Sequence, residues 1–179
     1  MSGAQHTLAG RLTVPLPPGE AFTLFTPRGE ERWVPGWRPR FPAPPGDDSA
    51  PGTVFETSAH GERTVWVVTA REPGRRVSYA RVTPGSRAGT VTVELDPDEH
   101  GGTTVRVTYE LTALTPDERG PLREFAERYP DFLRSWEQDI ARHLRSSPLF
   151  IAPAEGAHGP QVGSAGDGRP SRLPDGRLA

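Results

Sequence analysis

The chain of 179 residues contains no cysteine and no lysine, and all 21 of its basic residues are arginine. The first absence excludes disulfides, thiolate nucleophiles and cysteine-ligated metals. The second excludes Schiff-base chemistry on lysine and the lysine of a phosphate-binding loop. No apolar run approaches the ~20 residues that cross a bilayer, and residues 1–13 lack the basic start and apolar stretch of a signal peptide. A cytoplasmic protein without a transmembrane segment is expected. The net charge of -2 and the sequence pI near 6.2 leave no excess of cations for phosphates, so nucleic acid is not an expected partner. His6, His60, His100, His143 and His158 scatter without metal-ligand spacing. Ser58, Ser78, Ser86 and Ser135 lack the glycines of a nucleophile elbow, and no P-loop or dinucleotide fingerprint occurs. No metal and no cofactor are expected.

What is present is a sequence of patterns that suits one domain. A strand-like run reaches Leu16, with Leu12 and Val14 on one side and Arg11 and Thr13 on the other. Ala21, Phe22, Leu24 and Phe25 then follow at helical spacing. Thr26-Pro27 with Glu30 and Glu31 predicts a second short helix, to about Val34, with Thr26 as its cap and the acids near its positive end. Residues 37–41 suit only a short edge strand between Pro35 and Pro42, and 42–52 read as a solvated loop.

From Thr53 the period is two. Strands are predicted over 53–59, 63–71, 76–82, 88–95 and 103–114, separated by His60-Gly61-Glu62, Pro73-Gly74, Pro84-Gly85-Ser86 and the 96–102 turn. Short turns make them antiparallel neighbours. Thr115-Pro116-Asp117-Glu118 is a capping box, and Leu122, Phe125, Ala126, Tyr129, Phe132, Leu133, Trp136, Ile140 and Leu144 follow at spacings of three and four. Pro130 predicts a kink or break in that helix. The fold class is α+β: a curved antiparallel sheet wrapped around a long C-terminal helix, with two short helices after the first strand. The domain is expected over 1–151. Residues 152–179, rich in Gly and Pro, are expected to form a disordered tail that cannot bury enough apolar surface to offset the entropy of ordering it.

This helix-grip order resembles the SRPBCC superfamily, the group with the Bet v 1, START and polyketide cyclase folds. The likeness lies in residues 18–25, Trp33 to Trp37, residues 52–57, Trp66-Val67-Val68, and Trp136 with Ile140 and Leu144, and spans residues 6–145. It implies a cavity between sheet and helix for lipids, polyketides or other apolar molecules. Trp37, Phe55, Trp66, Tyr79, Arg81, Val93, Val107, Tyr109, Tyr129, Phe132 and Trp136 are the expected lining, against the alternative that they fill a solid core. Alternation with Val77 and Tyr79 sends Arg81 inward, to orient a ligand oxygen, unless it reaches water at the strand end. His60 is either a general base at the cavity mouth or a solvated turn residue. Three functions remain open: a noncatalytic or weakly catalytic binder of an apolar small molecule, an enzyme of the polyketide cyclase or dehydratase type using Arg81, Tyr79 and Tyr109, and a protein-interaction module like the cochaperone branch.

Overall fold

A computed structural model describes residues 4–147. The expected domain boundary after Ile151 and the expected tail lie outside the described residues. Strand β1 (Gln5–Val14) leads into helix α1 (Pro18–Phe22), a 3-10 turn (Thr23–Phe25) and helix α2 (Pro27–Glu30). Five strands follow: β2 (Val54–Ala59), β3 (Glu62–Glu72), β4 (Arg76–Thr83), β5 (Arg87–Pro97) and β6 (Thr103–Ala113). Helix α3 (Arg119–Ser146) closes the fold. The strands form one curved antiparallel sheet in the order β1-β6-β5-β4-β3-β2, so the chain's first and last strands are neighbours. No helix among the described residues is long and apolar enough to cross a membrane.

Alternation fixes which face is which. Leu8, Leu12 and Val14 in β1 and Val105, Val107, Tyr109 and Leu111 in β6 are buried, while Arg11 and Arg106 point outward. The β2–β3 connection is a two-residue hairpin in which His60 (φ 51°) and Gly61 (φ 85°) both take positive φ, the backbone of a type I′ turn. His60 is therefore held as a turn residue.

Several elements differ from the sequence reading. Helix α2 stops at Glu30 instead of continuing to Val34, and residues 37–41 contribute only an isolated bridge between Arg40 and Glu56. Pro39 and Pro42, which carry no amide donor, prevent a longer ladder there. The 42–52 loop is tied down rather than freely solvated. Asp48 accepts the Arg28 amide at 2.7 Å and so satisfies a free donor at the start of α2, while Asp47 accepts from the Ser49 amide and hydroxyl and pairs with Arg71.

Helix α3 begins at Arg119 without a side-chain cap, because both members of the expected box are engaged elsewhere. Glu118 accepts from the Ser86 hydroxyl at 2.7 Å, and Thr115 turns to the Gly85 carbonyl. The helix runs unbroken for 28 residues through Pro130. Pro130 lies on its exposed face, where water can serve the Ala126 carbonyl that loses its donor. Thr26 does cap α2, accepting from the Gly29 amide at 3.1 Å.

The helix backbone runs closest to β1, with a briefer approach to β6. Its buried face presents Leu122, Phe125, Tyr129, Leu133, Trp136 and Ile140. Within the sheet, Gly89 is the tightest backbone position: a β-carbon there would lie 1.8 Å from the Glu110 carbonyl oxygen. Gly89→Ala forces β5 and β6 apart, and chemical denaturation should show a loss of at least ~2 kcal/mol; an unchanged midpoint contradicts this packing.

Candidate functional site

Cross-strand register assembles the inner face of the sheet in rows. One row runs Phe55, Trp66, Arg81, Gly89, Leu111, His6, and the next Val68, Tyr79, Val91, Tyr109, Leu8. A third holds Val77, Val93, Val107 and Gly10. Tyr129, Phe132 and Trp136 face these rows from α3, and Trp33 and Trp37 enter from the segment after α2. Of the eleven residues expected at a site, ten are buried and Phe132 is partly buried against them. Arg81, for which two orientations were open, points inward at 5% exposure.

The aromatic rings form two groups. Trp37, Phe41, Phe55, Trp66 and Tyr79 pack together over β2–β4, with Phe55 and Trp66 stacked at 5.8 Å. Tyr109, Phe125, Tyr129, Phe132, Trp136, Trp33 and Phe25 make a second chain of edge-on contacts along α3. A hydrogen bond at 2.7 Å from the Tyr79 hydroxyl to the Phe25 carbonyl joins the two.

The polar atoms in these walls divide sharply. The indole N–H groups of Trp33, Trp37 and Trp66 donate to the Leu24 carbonyl, the Pro27 carbonyl and Thr57 Oγ1, at 2.7–2.9 Å. Tyr129 donates to the Val107 carbonyl at 2.7 Å. By contrast Trp136 Nε1, Tyr109 Oη, Glu30 Oε2 and Arg81 Nε are buried with no hydrogen-bond partner among the described residues. Buried polar groups are nearly always satisfied, so four such atoms among aromatic walls mark a place for water or ligand atoms. Tyr79, whose proton is committed to Phe25, is not available to a ligand; Tyr109 is.

Electrostatics link these groups. Burial pushes the Glu30 carboxyl well above its usual range. Burial raises Tyr79 and Tyr109 well above the usual phenol range, and a charge on Glu30 would raise both further. Arg81 and Arg87 act on Tyr109 in the opposite sense. Glu30 was absent from the residues expected from sequence, because an acid in the first turn of a helix reads as a partner for the helix dipole. A short α2 turns it inward instead, at 2% exposure.

A separate cleft of about 550 Å³ lies on the outer face of the sheet. Its lining is a row of charges, Glu72, Arg76, Glu94, Arg106 and Arg11, that follows the strand register. Both signs are present and water reaches them, so charge is solvated there. The unsatisfied groups are inside, and the candidate site is the interior.

A family model described as polyketide cyclase / dehydrase and lipid transport matches residues 5–138. Among solved structures, protein MLL2253 from Mesorhizobium loti is 26% identical over 76% of this chain and 98% of its own, with a TM-score of 0.57. Major latex-like protein 151 from Panax ginseng is 17% identical over 79% of this chain and 99% of its own, with a TM-score of 0.58. Aha1 from Colwellia psychrerythraea, solved as a dimer, is 17% identical over 75% and 96%, with a TM-score of 0.55. The last two share the fold alone. A search of curated protein sequences finds no match.

The buried acid makes a linkage prediction. An acid whose folded pKa lies above its unfolded value near 4.5 binds its proton more tightly when folded. Its contribution is full below that value and is lost as pH rises toward the folded pKa, at up to ~1.4 kcal/mol per pH unit. Glu30→Gln removes this slope, so denaturation between pH 4.5 and 8 should show the variant gaining on the parent chain as pH rises. Parallel stability curves contradict a neutral, buried Glu30.

Proposed function

Because the chain belongs to the polyketide cyclase / dehydrase and lipid transport family, we propose that its interior binds an apolar small molecule carrying a polar end. Three buried atoms with no hydrogen-bond partner among the described residues carry this reading: Trp136 Nε1, Tyr109 Oη and Glu30 Oε2, set among aromatic rings. Sites for small organic molecules are built this way, with apolar walls and a few convergent polar groups. The position of α3 supports it as well. The helix backbone stays near β1 and β6, so side chains alone span the distance to the inner face of β3–β5.

Trp37, Phe55, Trp66, Val93, Val107, Tyr129, Phe132 and Trp136 supply apolar contact in this account. Tyr109 and Trp136 each offer a hydrogen-bond donor, and Glu30, which burial pushes toward its protonated form, offers a third. In this reading the protein is a noncatalytic or weakly catalytic binder of its ligand.

One observation favours a second reading, an enzyme of the cyclase or dehydratase type. A carboxyl group that burial pushes toward its protonated form, in an interior that also holds a tyrosine hydroxyl with no hydrogen-bond partner among the described residues, is equipped to donate a proton to a ligand carbonyl oxygen. In that reading Glu30 is the acid and Tyr109 the second donor to the same oxygen.

Native mass spectrometry of gently purified protein, followed by solvent extraction, tests the binding reading. The expected result is a mass excess of small-molecule size that disappears on denaturation. Protein that is always empty, and whose melting temperature ignores apolar probes, contradicts it. With the extracted molecule in hand, Glu30→Gln separates the two readings. The amide still donates a hydrogen bond but cannot give up a proton, so conversion should fall ~100-fold or more in an enzyme. Absence of any conversion by the parent protein removes the second reading.

A further inference from the structure

Two arginines enter the interior with no ion-pair partner among the described residues. Arg81 is 5% exposed. Its Nη2 donates to Thr83 Oγ1 at 3.2 Å and its Cζ lies 4.8 Å from the centroid of the Trp66 ring, while its Nε has no partner among the described residues. Arg87 is paired with Thr83 across β4 and β5 and is half-buried. Its Cζ lies 6.0 Å from the centroid of Phe125, and its Nε is likewise buried without a partner among the described residues. Among the described residues, neither arginine has a carboxylate oxygen within 4.0 Å.

The nearby acids do not neutralise them. Burial pushes the Glu30 carboxyl well above its usual range, against its charged form. Glu62, at the exposed start of β3, acts on Arg81 only from a distance. Burial chiefly, and the charge of Arg87, lower the Arg81 guanidinium to about 10, which leaves it charged at neutral pH. A buried cation that lacks a counter-charge is unfavourable unless something else supplies one.

The residue paired with Arg81 on β5 is Gly89, so no side chain separates Arg81 from Leu111 along the row. The Tyr109 hydroxyl, also without a partner among the described residues, belongs to the next row of the same face, and the charges of both arginines act on it. Planar guanidinium groups fit carboxylates through paired N–H donors.

We propose that the interior site takes an amphipathic organic acid as its anion, with the carboxylate between Arg81, Arg87 and the Tyr109 hydroxyl and the apolar body along the aromatic walls. This names the ligand class of the interior-binding reading and rests on it. The outer-face row is a different case, because Arg76 and Arg106 there have Glu94 as their cross-strand neighbour and all of them meet water.

Matched pairs of probes test the assignment: 1-naphthylacetate against 1-naphthylacetamide, and decanoate against decanamide. Each pair keeps its body and changes only the charge of its end. Calorimetric titration of the full chain at pH 7 should show at least one carboxylate binding about tenfold or more tighter than its amide. In Arg81→Gln, and separately in Arg87→Gln, the preference should fall to within about threefold. Circular dichroism checks that each variant is folded, and the half-buried Arg87 provides the test if Arg81→Gln fails to fold. Equal binding of acid and amide overturns the anion assignment and leaves the interior-binding reading standing. A preference that survives in a folded variant overturns the role of that arginine, and binding of none of the four probes overturns both readings.

Discussion

Where Leu133 of α3 meets β1, the sheet carries Gly10, and a β-carbon at that position would lie 2.4 Å from Leu133 Cδ1. The missing side chain lets the helix settle onto β1 and ties the long aromatic face to one side of the sheet. The consequence appears on the other side. Over β3–β5 the wall is made not by the helix backbone but by Phe25, Trp33 and Trp37 from the short segment after β1, together with the sheet's own Phe55, Trp66 and Tyr79. Those side chains are fixed by specific bonds: Trp33 to the Leu24 carbonyl, Trp37 to the Pro27 carbonyl, and Tyr79 to the Phe25 carbonyl. One close contact and three hydrogen bonds therefore define the two walls of the interior.

Inside those walls the contrast between satisfied and unsatisfied groups is the functional signal. An aromatic interior built only for stability would have no use for an inward Arg81, a buried Glu30 or a free Tyr109 hydroxyl. Each would cost on the order of 1–3 kcal/mol if it stayed unpaired. Phenylalanine at position 109 would keep the ring contacts with Phe125, Tyr129 and Phe132 without that cost. These groups are explained when the interior is read as a site whose occupant completes their bonds.

Most of the fold could be read from the chain because a strand with one buried face must alternate. The period-two pattern over β2–β6 located the strands, but it left Arg81 with two orientations, of which the structure has the inward one. The long-range uses of polar side chains were not legible. Asp48 serving the Arg28 amide, Glu118 taken by Ser86, and Tyr79 committed to Phe25 all join residues far apart in sequence. Local patterns instead suggested a loose loop, a capping box and a free tyrosine. Glu30 was missed for the same reason: its inward turn depends on α2 ending there, which tertiary packing decides.

High-resolution electron density for the interior tests most directly whether it is a site. The account predicts ordered water or a bound molecule within hydrogen-bond distance of Tyr109 Oη, Glu30 Oε2 and Arg81 Nε, with the aromatic walls in the positions described. A dry, contracted interior, in which these three groups bond only to one another or to backbone, would contradict it.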